Sequence, residues 1–220
     1  MMKLHRMDLT IAIVAIALLS STALAGTISS LPAPVSSGPG LGLVSVPAIV
    51  TVNVNNDNQT GATPASDNNV VIPLKRFDSA GLIDIVFTLG STDGTTEYKV
   101  TEFVDNNTGV PWSSYRMQLG TGTGAGFVPF TTGNLDFDAP GFDPPPTSTA
   151  FPIVTTSPYQ LTYSGGIQGA GAQQHVFRLD IPDAGNTFTL RQIPTPIPEP
   201  GIFCLLGCLG FGVIAKRRVR

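Results

Sequence analysis

The chain has 220 residues, of which only 12% are charged, and it carries 24 glycines and 19 prolines. That is room for one sizeable domain with appendages, and too many turn-formers for long interior helices. The formal charge of −3 is unevenly spread: between residues 26 and 197, thirteen acidic side chains stand against six basic ones, a balance of −7. So acidic a stretch is repelled by phosphate backbones, which argues against nucleic acid as a partner.

At the N-terminus, Lys3 and Arg6 form a short basic lead, residues 9–19 are apolar apart from Thr10, and Ala23-Leu24-Ala25 is a small-x-small cleavage sequence. The pattern predicts a secretory signal peptide over 1–25, with Ala23 and Ala25 read by signal peptidase and Gly26 as the first mature residue. Its apolar run is too short to span a bilayer of ~30 Å. Residues 26–43, rich in Gly, Ser and Pro, read as a linker.

The stretch 44–191 contains no Cys, one Trp and one His. It has to rest on a hydrophobic core and not on disulfides, as its size allows. Period-2 alternation recurs along it. Val44–Val54 and Val70–Phe77 are plausible strands. Ile83, Ile85, Phe87 and Leu89 share a face; so do Tyr98, Val100 and Val104, opposite Glu97, Lys99 and Thr101. After a turn at Asp105-Asn106-Asn107-Thr108-Gly109, Tyr115, Met117 and Leu119 alternate with polar residues. Tyr159, Leu161 and Tyr163 do the same, followed by Phe177, Leu179 and Ile181, and then by Phe188 and Leu190. Eight or so short strands joined by turns predict an all-β fold, a single antiparallel β-sandwich, immunoglobulin-like in the broad sense.

Few residues in this domain suit chemistry. His175 is its single histidine, and its parity with Phe177 and Leu179 reads as a core or edge position and not as a catalytic base. Glu97 and Glu102 lie on one strand at opposite parity and therefore face apart, which disfavours a glycosidase pair. Gly120 to Gly126 lacks the Lys-Ser/Thr sequel and the following helix of a phosphate loop, and reads as a flexible surface loop. Asp136, Asp138 and Asp143 offer hard oxygen ligands that suit calcium, as does the oxygen-rich Asn55-Asn56-Asp57-Asn58, although its spacing to Gly61 fits no EF-hand. The alternative for both is a solvated acidic loop. Trp112 and Tyr115 suit an aromatic platform for sugar rings, or else a core position at a strand end.

At the C-terminus, prolines at 194, 196, 198 and 200 keep 192–200 extended and without amide donors, a linker open to a protease. Residues 201–215 carry no charge and predict a membrane helix of about 22 Å, followed by the basic tail 216–220 with Lys216, Arg217, Arg218 and Arg220. By the positive-inside rule that tail stays in the cytoplasm and leaves Pro198-Glu199-Pro200 outside. Cys204, Cys208 and Gly212, spaced i, i+4, i+8, form a stripe of small residues suited to helix packing in lipid. The triplet, the glycine-bearing apolar helix and the Arg-rich end together resemble the PEP-CTERM sorting signal of exopolysaccharide-producing bacteria. The resemblance implies exosortase as a partner, transient anchoring in the inner membrane and delivery to the cell surface or matrix. It implies nothing about the cargo domain, for which a non-catalytic structural role is expected, with exopolysaccharide binding as the alternative and a secreted hydrolase as a more distant one.

Overall fold

The computed structural model describes residues 26–56, 68–91, 94–133, 135–137, 144–183 and 186–198. Apart from one 3₁₀ turn at Gly124–Gly126, the regular structure there is all β. In chain order the strands are β1 (Gly26–Ile28), β2 (Val35–Ser37), β3 (Leu41–Val44), β4 (Ala48–Val50), β5 (Asn69–Phe77), β6 (Ile83–Ser91), β7 (Thr95–Asn106), β8 (Trp112–Thr121), β9 (Val128–Pro129), β10 (Thr147–Ser148), β11 (Ile153–Ser157), β12 (Gln160–Ser164), β13 (Gly171–Pro182) and β14 (Thr187–Pro196).

These strands form two sheets. The larger runs β1-β6-β14-β8-β12-β11, with β2 also on β6 and β9 on β8; the smaller runs β10-β13-β7-β5-β3, with β4 also on β5. Successive long strands β5, β6, β7 and β8 alternate between the sheets, so the two layers are laced together by the chain itself. This alternation explains a departure from the expected purely antiparallel sandwich. β5 and β7 are separated by one return traverse in the opposite sheet, so they run the same way and pair in parallel. The other strand pairs are antiparallel, including the twelve-residue ladder of β7 with β13.

The core lies between the sheets and is built by the alternation of each strand. Ile83, Ile85 and Phe87 of β6, Met117 and Leu119 of β8, and Phe188 and Leu190 of β14 face Tyr98, Val100 and Val104 of β7 and Phe177, Leu179 and Ile181 of β13. All are essentially inaccessible to solvent. Phe87 stacks on Phe188 with centroids 5.1 Å apart, and Phe77 meets Trp112 edge to face at 5.1 Å, geometries that aromatic quadrupoles favour.

Both expected linkers are in part strand. Residues 26–43 contain β1, β2 and most of β3: Gly26 pairs with Ser91, Val35 with Val86 and Leu41 with Phe77. Nor do residues 192–200 leave the domain at once. β14 continues to Pro196, and Ile197 N–H still donates to Pro111 O at 2.8 Å. Pro194 and Pro196 are tolerated because β6 ends opposite Gln192; beyond that point β14 has β8 alone as a neighbour, and an amide donor is missing only on an edge. No helix among the described residues is long and apolar enough to cross a membrane. Residues 1–25 and 199–220, with Ala23, Ala25, Glu199, Pro200, Cys204, Cys208, Gly212, Lys216, Arg217, Arg218 and Arg220, lie outside the described residues.

Candidate functional site

The centre of the sandwich is polar. Lys75, Glu102, Gln192, Tyr115, Tyr163 and His175, none of them accessible to solvent, converge from β5, β7, β14, β8, β12 and β13. Five of the six arrive there by simple alternation. Glu102 has the parity of Val100 and Val104, Gln192 that of Phe188 and Leu190, and His175 that of Phe177 and Leu179; Tyr115 and Tyr163 have that of Met117 and Leu161.

Lys75 arrives by a fault in the alternation. Val70 and Ile72 point inward, and strict period 2 would put Leu74 inside and Lys75 outside. The register of β5 against β7 shifts between Ile72 and Lys75, around Pro73, and the phase inverts so that Lys75 and Phe77 face the core. An irregularity of this kind re-aims the side chains beyond it, and proline, with no amide to donate, is at home there.

The three residues at the centre form a closed set. Lys75 Nζ donates to Glu102 Oε2 at 2.6 Å and also to Gln192 Oε1, while Gln192 Nε2 donates to the same Glu102 Oε2 at 2.8 Å. Tyr115 Oη donates to the other carboxylate oxygen, Oε1, at 3.3 Å. The ammonium also lies 5.5 Å from the centroid of the Tyr115 ring, within cation–π range. Around this set pack Tyr115 and Tyr163, each with its ring 4.9 Å from that of His175.

Burial dominates the protonation of these groups. It lowers Lys75 from the ordinary lysine value to about 8, against the opposing pull of Glu102. It lowers His175 to about 3, with the positive charge of Lys75 adding to the effect, so that the imidazole is neutral at physiological pH. Burial pushes the phenols of Tyr115 and Tyr163 well above the ordinary tyrosine range, and the Glu102 charge raises them further. Both nitrogens of His175 and the Tyr163 hydroxyl have no hydrogen-bond partner among the described residues.

The other expected sites fare differently. Trp112 and Tyr115 do lie together, stacked at 6.1 Å and 14°. Yet both are wholly buried, so they present no platform to a sugar; their rings support Phe77 and the polar centre instead. Glu97 and Glu102 face apart as expected: Glu97 lies on the outer side of β7, buried, and accepts from Arg178 Nε at 3.1 Å. Of the aspartates considered for calcium, Asp136 exchanges backbone hydrogen bonds with Asp180, while Asp138 and Asp143 fall outside the described residues. Asn56 Oδ1 accepts from Glu97 N–H at 3.0 Å and from Asn68 Nδ2 at 3.1 Å, so this member of the oxygen-rich stretch is engaged in holding its loop. Among the described residues no group of three His, Cys, Asp or Glu is placed to hold a metal ion.

The glycine-rich loop is tethered rather than free. Gly124 N–H donates to Asp84 Oδ2 at 2.7 Å, Arg191 donates to Gly124 O at 2.7 Å, and Arg191 itself pairs with Asp84 across β6 and β14. The Arg191 guanidinium also lies 3.9 Å from the centroid of the Phe127 ring. Gly122 and Gly124 adopt positive φ (73° and 56°), which explains glycine at those two positions.

No family model matches the chain, and no curated protein or solved structure matches it.

Proposed function

We propose that this chain is a non-catalytic structural protein of the cell surface or extracellular matrix, exported through its N-terminal signal and released from the inner membrane by an exosortase acting near Pro198-Glu199-Pro200. One observation carries the structural half of this reading. The side chains best suited to acid–base chemistry or to stacking on a sugar, Glu102, His175, Trp112 and Tyr115, are all enclosed in the core, where no substrate reaches them. The hydrogen-bonded group of Lys75, Glu102 and Gln192 serves to fix how the two sheets meet, because its bonds are made in one arrangement only. The sorting half is supported by the motif, the apolar run and the basic end in the sequence.

The test is fractionation of a producing cell together with intact-mass measurement of the exported form. The expected product begins at Gly26, ends near Pro198-Glu199-Pro200 and lies outside the inner membrane. Full-length chain that stays in the cytoplasm, or that reaches the exterior with residues 201–220 attached, overturns the reading.

A further inference from the structure

The three central side chains are arranged for a reaction with one another. Lys75 Nζ contacts the side-chain carbonyl oxygen of Gln192, one bond away from the amide carbon. Glu102 Oε2 accepts at once from that amine, at 2.6 Å, and from the amide nitrogen Nε2 of Gln192, at 2.8 Å. A single carboxylate oxygen thus bridges the atom that would attack and the atom that would leave. All three side chains have zero exposure, so water does not compete as the nucleophile. From this geometry we infer that Lys75 and Gln192 join covalently after folding, in an amide bond between Nζ and Cδ that ties β5 of the smaller sheet to β14 of the larger, with Glu102 carrying the protons.

The step balances without any external reagent. Glu102 takes a proton from the Lys75 ammonium, and the neutral amine attacks Cδ of Gln192. Burial already disfavours the charged form of this lysine, as it does for lysine nucleophiles in desolvated sites. In the tetrahedral adduct Glu102 delivers its proton to Nε2 and receives one from Nζ, the transfers of a general acid and base within hydrogen-bond reach of both. The carbon–Nε2 bond breaks, the carbonyl reforms, and the amide nitrogen leaves as ammonia, which takes up the remaining proton as ammonium. One amide is exchanged for another, so the gain comes from holding the reactants together and from losing the ammonia to bulk water. Alignment of this quality is worth effective molarities of about 10⁵ M or more. Tyr115, donating to Glu102 Oε1, is a positioning residue: it holds the carboxylate with its other oxygen toward the pair.

The product would also remove the ion pair, leaving a neutral amide beside the Glu102 carboxylate, to which Tyr115 still donates. It would close a loop between residues 117 positions apart in the sequence. This inference concerns chemistry internal to the domain and stands whether or not the sorting proposal does.

The test is tandem mass spectrometry of a peptic digest of the expressed full chain after denaturation. The expected result is a branched peptide joining the Lys75 and Gln192 segments, lighter than the sum of its parts by about 17 Da, the mass of one ammonia. The denatured wild-type chain should also migrate faster on a denaturing gel than a Glu102→Gln variant, which keeps the shape of the side chain and cannot carry protons, and whose two segments should be recovered separately. Because the decisive measurement is on the wild-type chain, the inference does not depend on any variant folding. Separate, unmodified Lys75 and Gln192 peptides from folded wild-type protein overturn it. So does a branch between Lys75 and Glu102 lighter by about 18 Da, the mass of one water, or the loss of ammonia at an asparagine without any branch.

Discussion

Lys75 and Arg76 are neighbours in the chain, and each is paired with a carboxylate at close range: Lys75 with Glu102 at 2.6 Å, Arg76 with Asp78 at 2.8 Å. The two pairs stand on opposite faces of one strand. The inner pair has no solvent exposure, whereas the Arg76 and Asp78 side chains are 38% and 42% exposed. Outside, water screens each charge, and the neighbouring guanidinium does no more than hold the Asp78 carboxyl below its usual range. Inside, the cost of removing two charges from water has to be met by the pair itself and by the amide and phenol around it. Similar distances therefore reveal little about worth; surroundings decide whether a contact is ornamental or indispensable.

The contrast can be broken most severely at Glu102. Glu102→Ala strands the Lys75 charge in the core and is expected to cost about 3–5 kcal/mol in urea denaturation, before any covalent joining is counted. Asp78→Ala is expected to leave the denaturation midpoint unchanged. Equal effects of the two would show that the interior pair is wetter than its burial implies.

Acid sensitivity comes next. His175 is neutral in the folded protein, with its value lowered to about 3, but titrates near 6.5 once unfolded. Below about pH 6.5 the unfolded chain takes up a proton that the folded chain refuses, so stability falls as pH drops from there toward 3. The expected loss from this group is about 3 kcal/mol between pH 7 and pH 4. His175→Phe should flatten that part of the stability profile, and an unchanged slope in the variant would assign the acid sensitivity to other groups. A smaller effect belongs to Tyr115→Phe, which removes only the hydroxyl donated to Glu102; about 1 kcal/mol of destabilisation is expected by the same denaturation measurement.

How much of this was legible beforehand depends on which signal each residue gave. The long strands were, because residues such as Ile83, Ile85 and Phe87 alternate without interruption. Glu102 and His175 carried inward parity openly, the one on the face of Val100 and the other on that of Phe177. Gln192 had the same parity as Leu190 but was hidden by the prolines that follow it, which argued for a linker. Lys75 was concealed by the irregularity at Pro73, since alternation counted from Val70 sends it to solvent; a proline inside a strand was the one hint. The strands within 26–43 were missed for a different reason. β2 and β3 pair through the backbone while leaving side chains such as Val35 and Leu43 exposed, so no apolar face marks them. Trp112 and Tyr115 show the limit of residue type as a guide: an aromatic suited to a ligand is equally suited to a core, and only the position of the opposite sheet distinguishes them.

β14 is an interior strand of the larger sheet, and its end at Pro196 lies only two residues from Pro198. Tension applied to the chain at that end would enter the domain along β14 and load its ladders with β6 and β8 in shear. Gln192 sits on that line of pull, and through Lys75 it would share the strain with β5 on the opposite layer. A domain wired in this way resists being drawn out by the end of β14, much as a rope holds better when its last strand is spliced back into the coil.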